Sequence, residues 1–136
     1  MGDTRDQEFM CPVAHAARDV GHARRCVDAL LAHWHMSPEV VGDALLLVSE
    51  LVTNAVSHAL PPAVLRVTSR RGILRIEVTD GGPVDEPRTA GLHDEHGRGM
   101  CIVTAVATQH GTVVHSGGVT HWAELHHLWA TPSPAP

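Results

Sequence analysis

The 136-residue sequence is poor in aromatic residues, at 3% with a single Phe and no Tyr, so its core has to be built from Leu, Val and Ala. Its three cysteines, Cys11, Cys26 and Cys101, are odd in number, widely spaced and free of any Cys-x-x-Cys pair. That argues against a disulfide framework or a thiolate metal site, and leaves Cys26 and Cys101 expected as small core residues. No run approaches the roughly 18 consecutive apolar residues that span a bilayer, and the start Met1-Gly2-Asp3-Thr4-Arg5-Asp6 has no apolar signal region behind it. The chain is therefore expected to stay in the cytoplasm, away from membranes. A positive surplus is missing too: ten Lys+Arg against fifteen Asp+Glu give a formal net charge of -5, and the basic residues are scattered. Direct nucleic-acid binding is not expected from such a surface.

What is present suits one folded domain with one core: 43% hydrophobic and 18% charged residues in a chain too short for two domains. Ala16, Val20, Ala23, Val27, Leu30, Leu31 and Trp34 recur at three and four residues and predict an amphipathic helix, with Arg18, Asp19, Arg24, Arg25 and Asp28 on its other face. Ser37-Pro38 reads as an N-cap followed by proline in the first turn of a second helix that runs to about His58, before Pro61-Pro62. Val64 to Arg70 and Ile73 to Thr79 alternate and join at Arg71-Gly72, which predicts an antiparallel hairpin. The stretch from Gly81 to Gly97 has no apolar period and reads as a long functional loop. A short helix, about Gly99 to Gln109, and two strands, Thr112 to His115 and Val119 to Leu128, complete the pattern. Strands that come in hairpins rather than one per helix predict an α+β fold, a two-layer sandwich whose mixed, mostly antiparallel sheet carries helices on one face. Residues 1–14 are expected to be a loose N-terminal segment, 15–128 the domain, and 129–136, ending Pro132-Ser133-Pro134-Ala135-Pro136, a loose tail.

Three segments depart from what packing alone would choose. On the second helix, Glu50 and Asn54 project together, one turn apart, away from the stripe Val41, Ala44, Val48, Leu51, Val52 and Ala55. A carboxylate there suits a general base toward a hydroxyl, and an amide oxygen suits Mg²⁺; a solvated polar face would show the same residues. Asp80 carries the parity of Leu74, Ile76 and Val78, so its carboxylate points to the buried side at a strand end. Buried there it requires a donor, such as the exocyclic amine of a purine, and Gly81 and Gly82 let the backbone approach a flat ring; the plainer reading is a carboxylate capping its own turn. Gly97-Arg98-Gly99-Met100 closes the loop and opens a helix, where free N–H groups suit phosphate oxygens, although glycines also simply punctuate loops.

In this order and at these separations the three segments resemble the N-box, G1 box and G2 box of the GHKL ATPase superfamily. Leu47-Val48-Ser49-Glu50-Leu51-Val52-Thr53-Asn54-Ala55-Val56-Ser57-His58-Ala59 is similar throughout to the N-box of RsbW-type anti-sigma-factor kinases and their single-domain actinobacterial relatives. Thr120-His121-Trp122-Ala123-Glu124-Leu125 resembles their last strand and Ala23-Arg24-Arg25 their first helix, so the likeness runs from about Ala16 to His126. The resemblance implies that ATP and Mg²⁺ are cofactors, with Asn54 the metal ligand and Glu50 the base. It further implies that Asp80 binds the adenine amino group over Gly82, that Gly97, Arg98, Gly99 and Met100 line the phosphates, and that Thr120 supports the adenine side. The loop before Gly97 would be the ATP lid, although Gly91-Leu92-His93-Asp94-Glu95-His96 and the Asp-Gly-Gly-Pro of the G1 box depart from the family pattern. The implied reaction is transfer of the γ-phosphoryl group to a serine of an anti-anti-sigma protein of the STAS fold, with a sigma factor as second partner and a homodimer as the assembly. Two other readings compete: an ATP-dependent module that sequesters a partner without catalysis, and a metal-binding protein using His33, His35, His93, His96, His126 and His127.

Overall fold

A computed structural model describes residues 6–84 and 101–127. The elements are β1 (Gln7–Val13), α1 (Arg18–His33), α2 (Pro38–His58), β2 (Ala63–Arg70), β3 (Ile73–Asp80), β4 (Gln109–His115) and β5 (Gly118–His126), and residues 101–106 are helical. The helices form where the local signals ask for them. Ser37 accepts at its Oγ from the Val40 N–H (3.3 Å) with Pro38 in the first turn of α2, and α1 turns Ala23, Val27 and Leu31 inward at a spacing of four. At the β2–β3 turn Arg71 (φ 55°) and Gly72 (φ 81°) are both left-handed, the pair of conformations that lets a two-residue turn follow the twist of its strands.

The five strands make one sheet in the order β1-β2-β3-β5-β4, every neighbouring pair antiparallel. One face is covered by helix: α2 packs over β3, β5 and β2, and α1 packs along α2. The core lies between these layers, with Leu65, Val67, Leu74, Ile76, Val78, Ala123 and Leu125 from the sheet meeting Leu47, Val48, Leu51 and Val52 from α2. Burying a Leu, Ile or Val in this way stabilises the fold by about 1.5–3 kcal/mol each. This is the two-layer α+β sandwich expected from the hairpin pattern.

Several local expectations are corrected. Gln7–Val13 is an edge strand rather than loose chain: Phe9, Cys11 and Val13 alternate toward the helix-covered face while Glu8, Met10 and Pro12 alternate away from it. The apolar Met10 on the outer side, 57% exposed, hides that alternation in the sequence, and Pro12 is tolerated because the strand lies at an edge. The strand after the long loop begins at Gln109, where helix is expected, and the last strand ends at His126. Cys26 is half-buried and Cys101 exposed, because their neighbours Val27 and Val103 take the inward positions. Arg24 does not face solvent but reaches α2, its Nη1 donating to Ser49 Oγ (2.6 Å) and to the Leu45 carbonyl (3.3 Å). Finally, α2 has the length and mean hydropathy (1.5 over an 18-residue window) of a membrane span, although no consecutive apolar run reveals it; its apolar stripe packs on the sheet, as in the core helix of a globular domain.

Candidate functional site

The parity of β3 carries Asp80 to the helix-covered face at the strand's end, in phase with Leu74, Ile76 and Val78, and its carboxylate is 1% exposed. Oδ1 accepts the N–H of Gly82 (2.8 Å), whereas Oδ2 is buried without a hydrogen-bond partner. An unmatched buried acceptor costs free energy of order 1–3 kcal/mol unless a donor arrives. Gly82, held at φ 98°, would aim a Cβ into open space, so the backbone beside Asp80 presents a bare surface. Gly81 and Gly118 are constrained differently: a Cβ on Gly81 would stand 2.7 Å from the Pro61 carbonyl, and one on Gly118 would overlap the Asp80 carbonyl oxygen. The Leu60–Pro61 connection thus lies against Gly81, and β5 against the Asp80 backbone, more closely than a side chain would allow.

The end of α2 is stitched to this corner. Gly81 N–H donates to the Leu60 carbonyl (2.7 Å), Leu60 N–H to Gly82 (2.8 Å) and Val84 N–H to His58 (3.3 Å), and Ala59 bridges Pro83. His15 adds a side-chain contact to the Ala59 carbonyl (2.9 Å), so the β1–α1 connection braces the same end. Asn54 precedes His58 by one turn, and Glu50 precedes Asn54 by another. Four residues at 3.6 per turn leave Glu50 and Asn54 on one side of α2, about 40° apart. Both are half-buried, flanking the core stripe rather than standing at the back of the helix, and α1 covers the other flank through Ser49. The fold therefore brings the last turn of α2 to Asp80 and Gly82, with Asn54 one turn and Glu50 two turns earlier on the same helix. A flat donor-bearing ring fits the Asp80–Gly82 corner, and an amide oxygen beside a carboxylate fits a hydrated divalent cation and a hydroxyl, in that order.

Thr120 is not brought there. β5 pairs Thr120 with Thr79 and Val119 with Asp80, so Val119 shares the Asp80 face and Thr120 points to the opposite one. On that face Thr120 Oγ1 lies 2.7 Å from Thr79 Oγ1 and 2.8 Å from His115 Nε2. The residue that sequence reasoning missed is His121, whose Nε2 stands 3.9 Å from Asp80 Oδ2. It has the parity of the buried Ala123 and Leu125, a phase that the intervening Trp122 obscures in the sequence. Gly97, Arg98, Gly99 and Met100, with the whole stretch 85–100, lie outside the described residues.

A hollow of about 1430 Å³ opens at the far end of the sheet around Trp34, Glu39, Asp43, Arg70, Arg71 and Gly72. None of Glu50, Asn54 and Asp80 lines it. His33, His35, His126 and His127 do, yet among the described residues no three His, Cys, Asp or Glu side chains are placed to hold a metal. The Asp80 corner is a candidate through its chemistry, a buried acceptor without a hydrogen-bond partner, and not through the size of a hollow.

The sequence matches the family described as histidine kinase-like ATPase domain over residues 13–121, which includes Glu50, Asn54, Asp80, Gly82 and Thr120. Among curated proteins none matches the sequence. Among solved structures, the RsbU and RsbW domains of Rv1364c from Mycobacterium tuberculosis are similar in fold, with a TM-score of 0.71 at 17% identity over 89% of this chain. The chain spans 32% of that protein's chain.

Proposed function

The chain belongs to the histidine kinase-like ATPase domain family, and we propose that it is a cytoplasmic regulator that binds Mg²⁺-ATP between the end of β3 and the free flank of α2. The observation that carries the reading is the Asp80 carboxylate, with one oxygen held by the Gly82 N–H and the other buried without a hydrogen-bond partner. The amino group of adenine supplies the missing donor, and the bare Gly82 backbone accepts the ring alongside. Asn54 offers its amide oxygen to Mg²⁺, which keeps water and phosphate oxygens as its remaining ligands. When bound, the metal neutralises charge on the phosphates.

Likeness to an RsbW domain supports a finer proposal: the chain phosphorylates a serine of an anti-anti-sigma protein of the STAS fold and otherwise holds a sigma factor. In that reaction the serine oxygen bonds to the γ-phosphorus, the bond from that phosphorus to the bridging oxygen of ADP breaks, and Glu50 takes the hydroxyl proton. The position of Glu50 one turn before Asn54 on the same side of α2 supports this role. The test is to incubate the full chain with Mg²⁺-ATP and a STAS-domain partner and weigh the partner. One added phosphate, lost with Glu50→Ala while ATP binding persists, is the expected result. An unmodified partner that nonetheless co-elutes with the chain only when ATP is present would replace the kinase reading with nucleotide-dependent sequestration.

A further inference from the structure

His121 has no part in the proposed chemistry, yet it sits beside the group that reads the base. β5 pairs His121 with Val78 on β3 and with Thr112 on β4, so its imidazole stands on the helix-covered face between Asp80 and the outer strand. Thr112 Oγ1 lies 3.2 Å from Nδ1, which fixes the ring, and Nε2 is turned toward Asp80 Oδ2 at 3.9 Å. That separation is too long for a hydrogen bond and short enough for strong attraction between opposite charges. The Asp80 carboxylate is 1% exposed and its Oδ1 is already engaged, so Oδ2 is the acceptor that an arriving amine would use. On this face β3 contributes Asp80, β4 contributes His110, and α2 carries Glu50 along its half-buried flank; Glu77, Glu124 and His115 lie on the opposite face.

We propose that His121 makes base recognition proton-dependent: as an imidazolium it pairs with Asp80 Oδ2 and competes with the nucleobase amine for that one oxygen. This rests on the reading of Asp80 as the adenine acceptor. Neutral His121 leaves Oδ2 to the ligand, so nucleotide binding and protonation of His121 exclude one another. Affinity then rises with pH through the titration of His121 in the free protein and levels off above it, and binding below that point releases a proton. A competitor that binds one proton weakens binding by at most about tenfold for each pH unit below its midpoint.

The experiment is a pH series of ATP binding by calorimetry on the full chain, with NMR titration of the His121 ring in the free and ATP-saturated protein. The phosphates of ATP also titrate in this range, so the decisive quantity is the ratio of affinities at pH 8.0 and pH 5.5 in wild type against His121→Gln. The wild-type ratio should exceed that of the variant by roughly tenfold, and saturating ATP should lower the midpoint of the His121 ring. Equal ratios in the two proteins, or a His121 midpoint indifferent to ATP, would overturn the proposal. A chain that binds no adenine nucleotide at pH 8.0 would instead overturn the reading beneath it. In that event Asp80→Asn in the free protein still judges the pair, because loss of the opposing charge should lower the His121 midpoint, and an unmoved midpoint would rule the pairing out.

Discussion

The two faces of the sheet treat their carboxylates in opposite ways. On the open face Glu77 and Glu124 share Arg75, whose Nε and Nη1 donate to them at 2.6 and 2.7 Å, and Arg66 links Glu77 to Glu8. The Arg75 guanidinium also lies 4.3 Å from the ring centre of Trp122, between the two acids. Burial works against its charge, but hydrogen bonds and attraction from Glu77 and Glu124 prevail and hold Arg75 above its ordinary value. On the covered face Asp80 has one backbone donor and an Oδ2 without a hydrogen bond. A carboxylate matched by its own fold is structural; a deeply buried one left incomplete is an invitation to a ligand.

That contrast can be broken or sharpened by substitution. The largest effect is expected from Asn54→Ala, which should reduce affinity for Mg²⁺-ATP to the level measured with ATP in excess chelator; retention of the Mg²⁺ dependence would remove Asn54 from the site. Asp80→Asn should weaken ATP by about 10–150-fold, the range for a hydrogen bond to a charged group of about 1.5–3 kcal/mol. It should also erase preference for ATP over GTP in competition, without lowering the melting temperature. Arg75→Ala should do the reverse, costing about 1–2 kcal/mol in urea denaturation through lost ion pairs and the stacked Trp122, with ATP affinity held within about twofold. Thr120→Val should cost about 1 kcal/mol through its contacts to Thr79 and His115 and leave ATP affinity unchanged; a large loss of ATP binding would contradict the register that turns Thr120 away.

The smallest effect lies at the far end of the sheet. Burial pushes the His127 imidazole below its usual value, with His126 adding to the shift. Its folded pKa is therefore lower than its unfolded one, and the unfolded chain binds the proton more readily. The stability it contributes is present above about pH 6.5 and is lost as pH falls from there through the folded value. His127→Gln should remove part of the drop in melting temperature between pH 7.5 and pH 5.5.

Much of this was legible from residue patterns. Ser37-Pro38 marks the start of α2 and Arg71-Gly72 the hairpin turn because capping and left-handed backbone are local properties. Asp80 was found by parity, since the alternation of Leu74, Ile76 and Val78 runs unbroken to the strand's end. β1 escaped notice because its membership depends on pairing with β2, some fifty residues away, and Met10 and Pro12 blur its period. Thr120 was misaligned with the site, and His121 passed over, because Trp122 places a large apolar ring on the open face, packed against Arg75, and so masks the phase set by Ala123 and Leu125. The sheet register resolves both, and it is a tertiary property.

The strand order carries one more consequence. β5, the last of the described elements, is an interior strand with β3 on one side and β4 on the other. A ribosome that has released everything through His115 has already made Glu50, Asn54 and Asp80, yet β3 still shows a bare edge and β4 has no neighbour. The corner around Asp80 closes only when Gly118 comes against its carbonyl, after all of these residues have been made. Copies cut short before β5 would keep an open β3 edge on which to aggregate.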